Sequence, residues 1–363
     1  MAPPDDALST AAGAERTGRV ARSAAPQAIE PRVRSGSATP CSLYLAPDGT
    51  LLTNLAPSDL ARVVQTGVGT LWVDVDASVR EQQALLQPMF GMHPLAAEDA
   101  LNPNSRVKVE EYPDALFAIV RGVEFCESTA DPYDVETYNL SFFVSRNMLV
   151  TAHATGSPAV NGMRERVTRA PELLARGPVF LMHQMMDASV DAYFPIIDQI
   201  DDFVDEIEER VFVAFDQAAM RDIYQARRLV LTLRRQLAPQ RELFNTLANR
   251  PIALVPADAQ RYFRDVYDHV MRIYDSLDVQ RDLLGSTLDS YLTQVNNRTG
   301  EASKALAVVG AISIPFVVVS GMWGMNFQRI PLSTYPHGFA IMMAIQLAIG
   351  LGLLVLLRRR GLL

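Results

Sequence analysis

The sequence predicts an α+β protein: an N-terminal α/β domain with a mixed sheet, then a helical stalk, then two C-terminal membrane helices, the first continuous with the stalk. Three patterns predict it. Short β-rich runs such as TLWVDVD and ALFAIVRGVEF fill the stretch from Cys41 to about Ala154. From Ala257 onward no proline occurs until Pro315, and apolar residues recur at helical spacing. Ala305 to Trp323 and Gly338 to Leu357 carry no charge at all.

The first 40 residues are rich in Ala, Pro, Ser and Arg and poor in large apolar side chains. Such a segment cannot offset its ordering entropy by burial, so 1–40 is expected to be a disordered tail, and it lacks the apolar stretch of a signal peptide. The domain that follows, 41–176, alternates strand-length runs with helices near Ser58–Gln65 and Ser78–Phe90, punctuated by turns such as Pro47-Asp48-Gly49. It contains neither a phosphate loop nor a nucleophile elbow.

The region 177–302 is expected to be helical throughout. Ile197, Ile200, Phe203, Val204, Ile207 and Val211 form an apolar stripe opposite a dense acidic face that runs from Asp187 and Asp191 through Asp198, Asp201, Asp202 and Asp205 to Glu209. That face is either solvated or turned towards metal, because hard divalent cations take oxygen ligands. A basic helix, Met220 to about Asn249, is placed to lie antiparallel to it, with Pro239 as a possible kink. Phe263, Val266, Val270, Ile273, Leu277, Leu284, Leu288, Leu292 and Val295 then carry one helix from the stalk into the first span. At 1.5 Å per residue some 65 residues reach about 100 Å, which calls for a neighbour or copies of itself to pack against.

Each charge-free run has the roughly 20 residues needed to cross about 30 Å of hydrocarbon. The spans are 303–326 and 338–357, joined by a loop of 327–337 and closed by a basic tail, 358–363. Arg298 and Lys304 before the charge-free run that starts at Ala305, and Arg358, Arg359 and Arg360 after the second span, put both ends on the cytosolic side. In the first span Ser303, Leu306, Gly310, Ile314, Val317 and Gly321 share one stripe, either a helix-packing face or the lining of a narrow pore. Pro315 removes a donor in mid-span.

Composition excludes several classes. The net charge of -8 argues against nucleic acid and favours cations as partners. Cys41 and Cys126, far apart, form neither a disulfide framework nor a zinc motif. No nucleophile, base and oxyanion donors can be named, so an enzyme is not expected.

The block Asn297-Arg298-Thr299, then Ile314-Pro315-Phe316, Gly321-Met322-Trp323-Gly324-Met325-Asn326-Phe327 and the closing Arg358-Arg359-Arg360-Gly361-Leu362 resembles the CorA family of divalent-cation channels. Upstream, His93-Pro94-Leu95, Glu98-Asp99, Leu101-Asn102 and Tyr262 to His269 extend the resemblance over roughly 41–363. It implies a homopentamer in the inner membrane that takes up Mg2+, and also Co2+ or Ni2+, with the first span lining the pore. Gly324, Met325 and Asn326 would form the selectivity filter, Asn326 giving one amide per subunit. Neutral oxygens suit Mg2+, which dehydrates reluctantly, whereas Met325 is a poor partner for a hard ion. Asp99 and Asp265 correspond to a regulatory pair in which acids of adjacent subunits share Mg2+ and hold the channel closed. Glu98 with Asp187 or Asp191 is a neighbouring site, Asp289 a further acidic ring, and His93 a structural residue.

Two departures stand out. The loop Phe327 to Ser333 has no carboxylate, and Gly300 stands where the family often has Asn. Two alternatives therefore stay open: a ZntB-like Zn2+ transporter, and a membrane metal sensor that conducts nothing.

Overall fold

The computed structural model describes residues 38–126, 135–154, 156–214, 216, 218–325, 331–332 and 335–360. The tail expected over 1–40 lies outside the described residues except for 38–40, as do Asn326, Phe327 to Ile330 and Gly361 to Leu363.

The chain begins with β1 (Cys41–Leu45), β2 (Leu51–Thr53), α1 (Pro57–Thr66), β3 (Thr70–Asp76), α2 (Arg80–Gln83), α3 (Pro94–Leu101), β4 (Lys108–Tyr112), β5 (Ala115–Phe125), β6 (Val135–Ser145) and β7 (Met148–His153). The seven strands form one sheet in the order β2-β1-β3-β7-β6-β5-β4. Only the β3–β7 pairing is parallel, with Trp72 opposite Leu149 and Asp74 opposite Thr151, so the sheet is mixed. Period-two alternation sends side chains to two cores. Leu116, Ala118 and Val120 of β5 face the large core shared with the later helices, while Ala115, Phe117 and Ile119 face a second core under α1 and α3. Burial on both faces is why these strands read as near-continuous apolar runs. Asp74, the polar exception, sits inside at 4% exposure, paired to Arg164 and 3.0 Å from His153 Nε2, with Thr151 Oγ1 donating to it at 2.8 Å.

The rest is helical: α4 (Pro158–Arg169), α5 (Glu172–Ala175), α6 (Pro178–Asp191), α7 (Phe194–Glu209), a π-helical turn over Arg210–Ala214, α8 (Ala219–Asn249), α9 (Ala257–Trp323) and α10 (Gly338–Arg359). The acidic stretch is thus two helices and not one, because it breaks at Ala192 and Tyr193 before Pro195 opens α7. Helix α8 continues through Pro239 and packs along α9, where Arg234 and Asp278 meet at 2.8 Å. Phe263, Val266, Val270, Ile273, Leu277 and Leu284 of α9 are buried at three-, four- and seven-residue steps, which fixes the face it turns to α6, α7 and α8. Leu292 and most of the residues from there to the span are exposed in the single chain, with Val295 half-buried against the core.

Helix α9 holds 67 residues and runs unbroken through Pro315. Both α9 and α10 contain windows long and apolar enough to cross a membrane, and most of each window faces outwards. At the return, Gly338 admits the Leu332 carbonyl so closely that a Cβ there would lie 2.0 Å from the oxygen, so only glycine fits at the start of α10.

Candidate metal and ion-path sites

Asp187 and Asp191 are four residues apart on α6 and therefore share a face. Helix α9 brings His269 against them. His269 Nδ1 lies 3.0 Å from Asp191 Oδ1 and 3.9 Å from Asp187 Oδ1, and its Nε2 is 3.9 Å from Asp265 Oδ2, one turn back on α9. One ligand atom each from Asp187, Asp191 and His269 falls within 4.8 Å of the others. Among the described residues this is the one group of its kind.

The cluster fits a divalent ion on an observation independent of its acidity. Asp187 Oδ1 is buried with no hydrogen-bond partner, which is costly unless a cation or water meets it. His269 Nδ1 and Asp191 Oδ1, 3.0 Å apart, are within hydrogen-bond distance of one another. Carboxylates suit Mg2+, and the imidazole adds affinity for softer ions such as Zn2+, Co2+ and Ni2+.

Burial, followed by the neighbouring Asp191 charge, raises the Asp187 carboxyl above its ordinary range. A carboxyl raised on folding favours the native state at low pH, and that contribution is lost as pH rises through the native pKa. Metal-free Asp187→Asn should therefore melt above the parent near neutral pH, with the gap closing as pH falls towards 3.8, the ordinary value. Added Mg2+ should raise the melting temperature of the parent and not of the variant. A thermal-melt series over pH, with and without Mg2+, reads both.

Sequence reasoning named Asp187, Asp191 and Asp265 separately and missed His269 as their partner. The signal was present: Asp265 and His269 are spaced i, i+4 on a helix, as Asp187 and Asp191 are. The expected pairing of Asp187 or Asp191 with Glu98 is not seen in the single chain, where Glu98 is exposed on α3. Asp99 is engaged elsewhere. Lys108 Nζ donates to it at 2.6 Å and Ser105 Oγ at 3.0 Å, and the Lys108 hydrogen bond holds its carboxyl below the usual range. Lys108 also donates to Glu110 at 2.7 Å, so any ion at Asp99 meets a resident ammonium. His93 caps α3, accepting the Leu95 N–H at 3.3 Å, and stacks on Tyr112.

The acidic face of α7 is partly tied to α9: Asp201 accepts from Gln280, and Glu208 accepts from Thr287 Oγ1 at 2.9 Å. Arg210 pairs with Asp216 and, at 2.7 Å, with Asp222. Asp289 is exposed on α9.

At 100° per residue, Ser303, Leu306, Gly310, Ile314, Val317 and Gly321 fall within a sector of about 80° on α9. Leu306, Ile314 and Val317 are 77%, 62% and 69% exposed, since α10 packs on another face, where Phe316 meets Gly350. The helix ends at Trp323. Gly324 N–H then bonds the Ser320 and Gly321 carbonyls at 3.0 and 3.2 Å, and Met325 is half exposed. Gly324 has φ -81, a conformation open to any residue, so nothing among the described residues demands glycine there.

The chain thus joins two helices long and apolar enough to cross a membrane to a carboxylate–imidazole cluster that could hold a divalent cation. Residues 68–359 match the family described as CorA-like Mg2+ transporter protein, and the chain belongs to that family. It is 28% identical over 302 residues to the putative metal ion transporter YfjQ of Bacillus subtilis, covering 83% of this chain and 92% of that protein. It is also 28% identical over 272 residues to the cobalt/magnesium transport protein CorA of Thermotoga maritima, covering 75% and 77%. The complete CorA magnesium transporter of Methanocaldococcus jannaschii superposes with a TM-score of 0.78 at 21% identity, over 90% of this chain and 99% of that one, which shows the shared fold. The ZntB cytoplasmic domain of Vibrio parahaemolyticus has a TM-score of 0.54 at 15% identity, over 71% and 98%. The chain is thus a divalent-cation transporter and not an enzyme.

Proposed function

We propose that this chain forms a homopentameric channel of the inner membrane that takes up Mg2+, with Co2+ and Ni2+ as further substrates, and that cytosolic Mg2+ closes it. The observation that carries the reading is the continuity of α9, which joins His269 of the metal cluster to the Gly324-Met325 turn with no break. At 1.5 Å per residue that distance is about 80 Å, so an ion bound at one end can bias the set of the other. In this reading 303–326 lines the pore and 338–357 packs outside it. The α/β domain, 41–176, and the stalk, 177–302, lie in the cytosol with both termini. Leu306, Ile314 and Val317 form apolar rings that gate by dewetting, and Asn326 supplies the amide ring of the filter. Asp99 and Asp265 face one another across subunits, while Asp187, Asp191 and His269 hold regulatory metal within one.

His269 favours a second reading, Zn2+ transport, since imidazole is a softer ligand than carboxylate. Purified protein in liposomes decides between them. Mg2+ is expected to enter fastest of Mg2+, Co2+, Ni2+ and Zn2+. Zn2+ as the fastest ion would overturn the Mg2+ assignment, and no flux of any ion together with Mg2+-dependent protease protection would make the protein a sensor.

A further inference from the structure

The two spans meet in layers one helical turn apart. Phe316 covers Gly350 so closely that a Cβ added there would stand 2.7 Å from Phe316 Cζ. Four residues on along α9 and four back along α10, Gln346 Nε2 donates to Ser320 Oγ at 3.3 Å. Gly324 lies one turn further along α9. Gln346 is the one amide or charged side chain between Gly338 and Leu357, and it is 4% exposed although most of α10 faces outwards. A polar side chain at membrane depth is costly unless it is bonded, and its place against α9 is therefore specific. Ser320 is held twice: its hydroxyl oxygen accepts from Gln346, and its carbonyl accepts the Gly324 N–H at 3.0 Å.

We propose that Gln346 is a positioning residue for ion selection: through Ser320 it fixes the last turn of α9, and with it the set of Gly324 and Met325. The inference rests on the channel reading above and adds to it a residue outside the pore-lining helix. A packing contact alone would hold the spans together, whereas a positioning contact also sets which ion passes. Loss of the hydrogen bond lets the terminal turn of α9, whose Ser320, Gly321 and Met322 carbonyls accept from the Gly324 and Met325 N–H groups, shift as a unit against α10.

The test is flux of Mg2+ and Co2+ into liposomes holding the wild type, Gln346→Leu, Ser320→Ala or the double variant, each first sized in detergent. Each single variant should lower Mg2+ flux about fivefold, the scale of one interhelical hydrogen bond in a membrane. Each should also change the Mg2+ to Co2+ ratio, and the double variant should be no worse than the more severe single one. Wild-type flux and ratio in Gln346→Leu overturn the proposal, as do losses that multiply in the double variant. Should Gln346→Leu fail to assemble, Ser320→Ala removes the acceptor while keeping the glutamine's packing, and an unchanged ratio in it overturns the proposal equally. A wild-type protein that passes neither ion overturns the channel reading and this inference with it.

Discussion

Asn326→Ala is expected to reduce Mg2+ flux by more than about a hundredfold while the protein still assembles. A neutral amide that accepts hydrogen bonds from the waters of Mg2+ contributes about 1 kcal/mol net, and five such groups in a ring act on the same ion. Their joint removal comes to about 5 kcal/mol, or more than a thousandfold if all of it bears on entry. Asn326 contacts the ion in this reading and not the core, so a size profile in detergent should match the parent. Asn326→Gln keeps the amide on a longer arm and should restore part of the flux. Wild-type flux in Asn326→Ala would remove the amide ring from the mechanism.

The fold was legible in the sequence where one physical pattern acted alone. Helix α9 could be read from its apolar spacing, and the two spans from their lack of charge. The break at Ala192 and Tyr193 was harder to see, because apolar spacing persists on both sides and only Pro195 marks the restart. Pro239 shows the converse: a local breaker outweighed by packing along α9. The site was half legible. Acidic residues on one helix announce themselves by spacing, but His269 joins Asp187 and Asp191 across about 80 residues of chain, a proximity that only the packing of α6 on α9 creates. Lys108 was invisible for the same reason. It reaches Asp99 from the neighbouring strand β4, and nothing in a linear pattern pairs the two.

The second large effect should fall on regulation. Asp187→Asn with Asp191→Asn and Asp265→Asn is expected to raise the Mg2+ concentration needed for half-inhibition by about tenfold or more, leaving flux at low Mg2+ intact. In the metal-free cluster three carboxylates surround one imidazole, and Asp187 Oδ1 has no hydrogen-bond partner. Mg2+ binding relieves that repulsion and so favours whichever state brings the acids together, in proportion to its differential affinity. A tenfold change corresponds to about 1.4 kcal/mol, a modest demand on the loss of three carboxylates, two from the cluster and one from the pair with Asp99. His269→Ala should act differently. It removes the softer ligand, so inhibition by Co2+ or Zn2+ should weaken more than inhibition by Mg2+. Lys108→Ala should act in the opposite direction, because it frees Asp99 from a resident cation and should let Mg2+ close the channel at lower concentration. Flux inhibition curves for each ion separate the three cases. If the triple variant kept the parent's Mg2+ dependence, neither the cluster nor the Asp99–Asp265 pair, which also loses a carboxylate in this variant, would govern the pore.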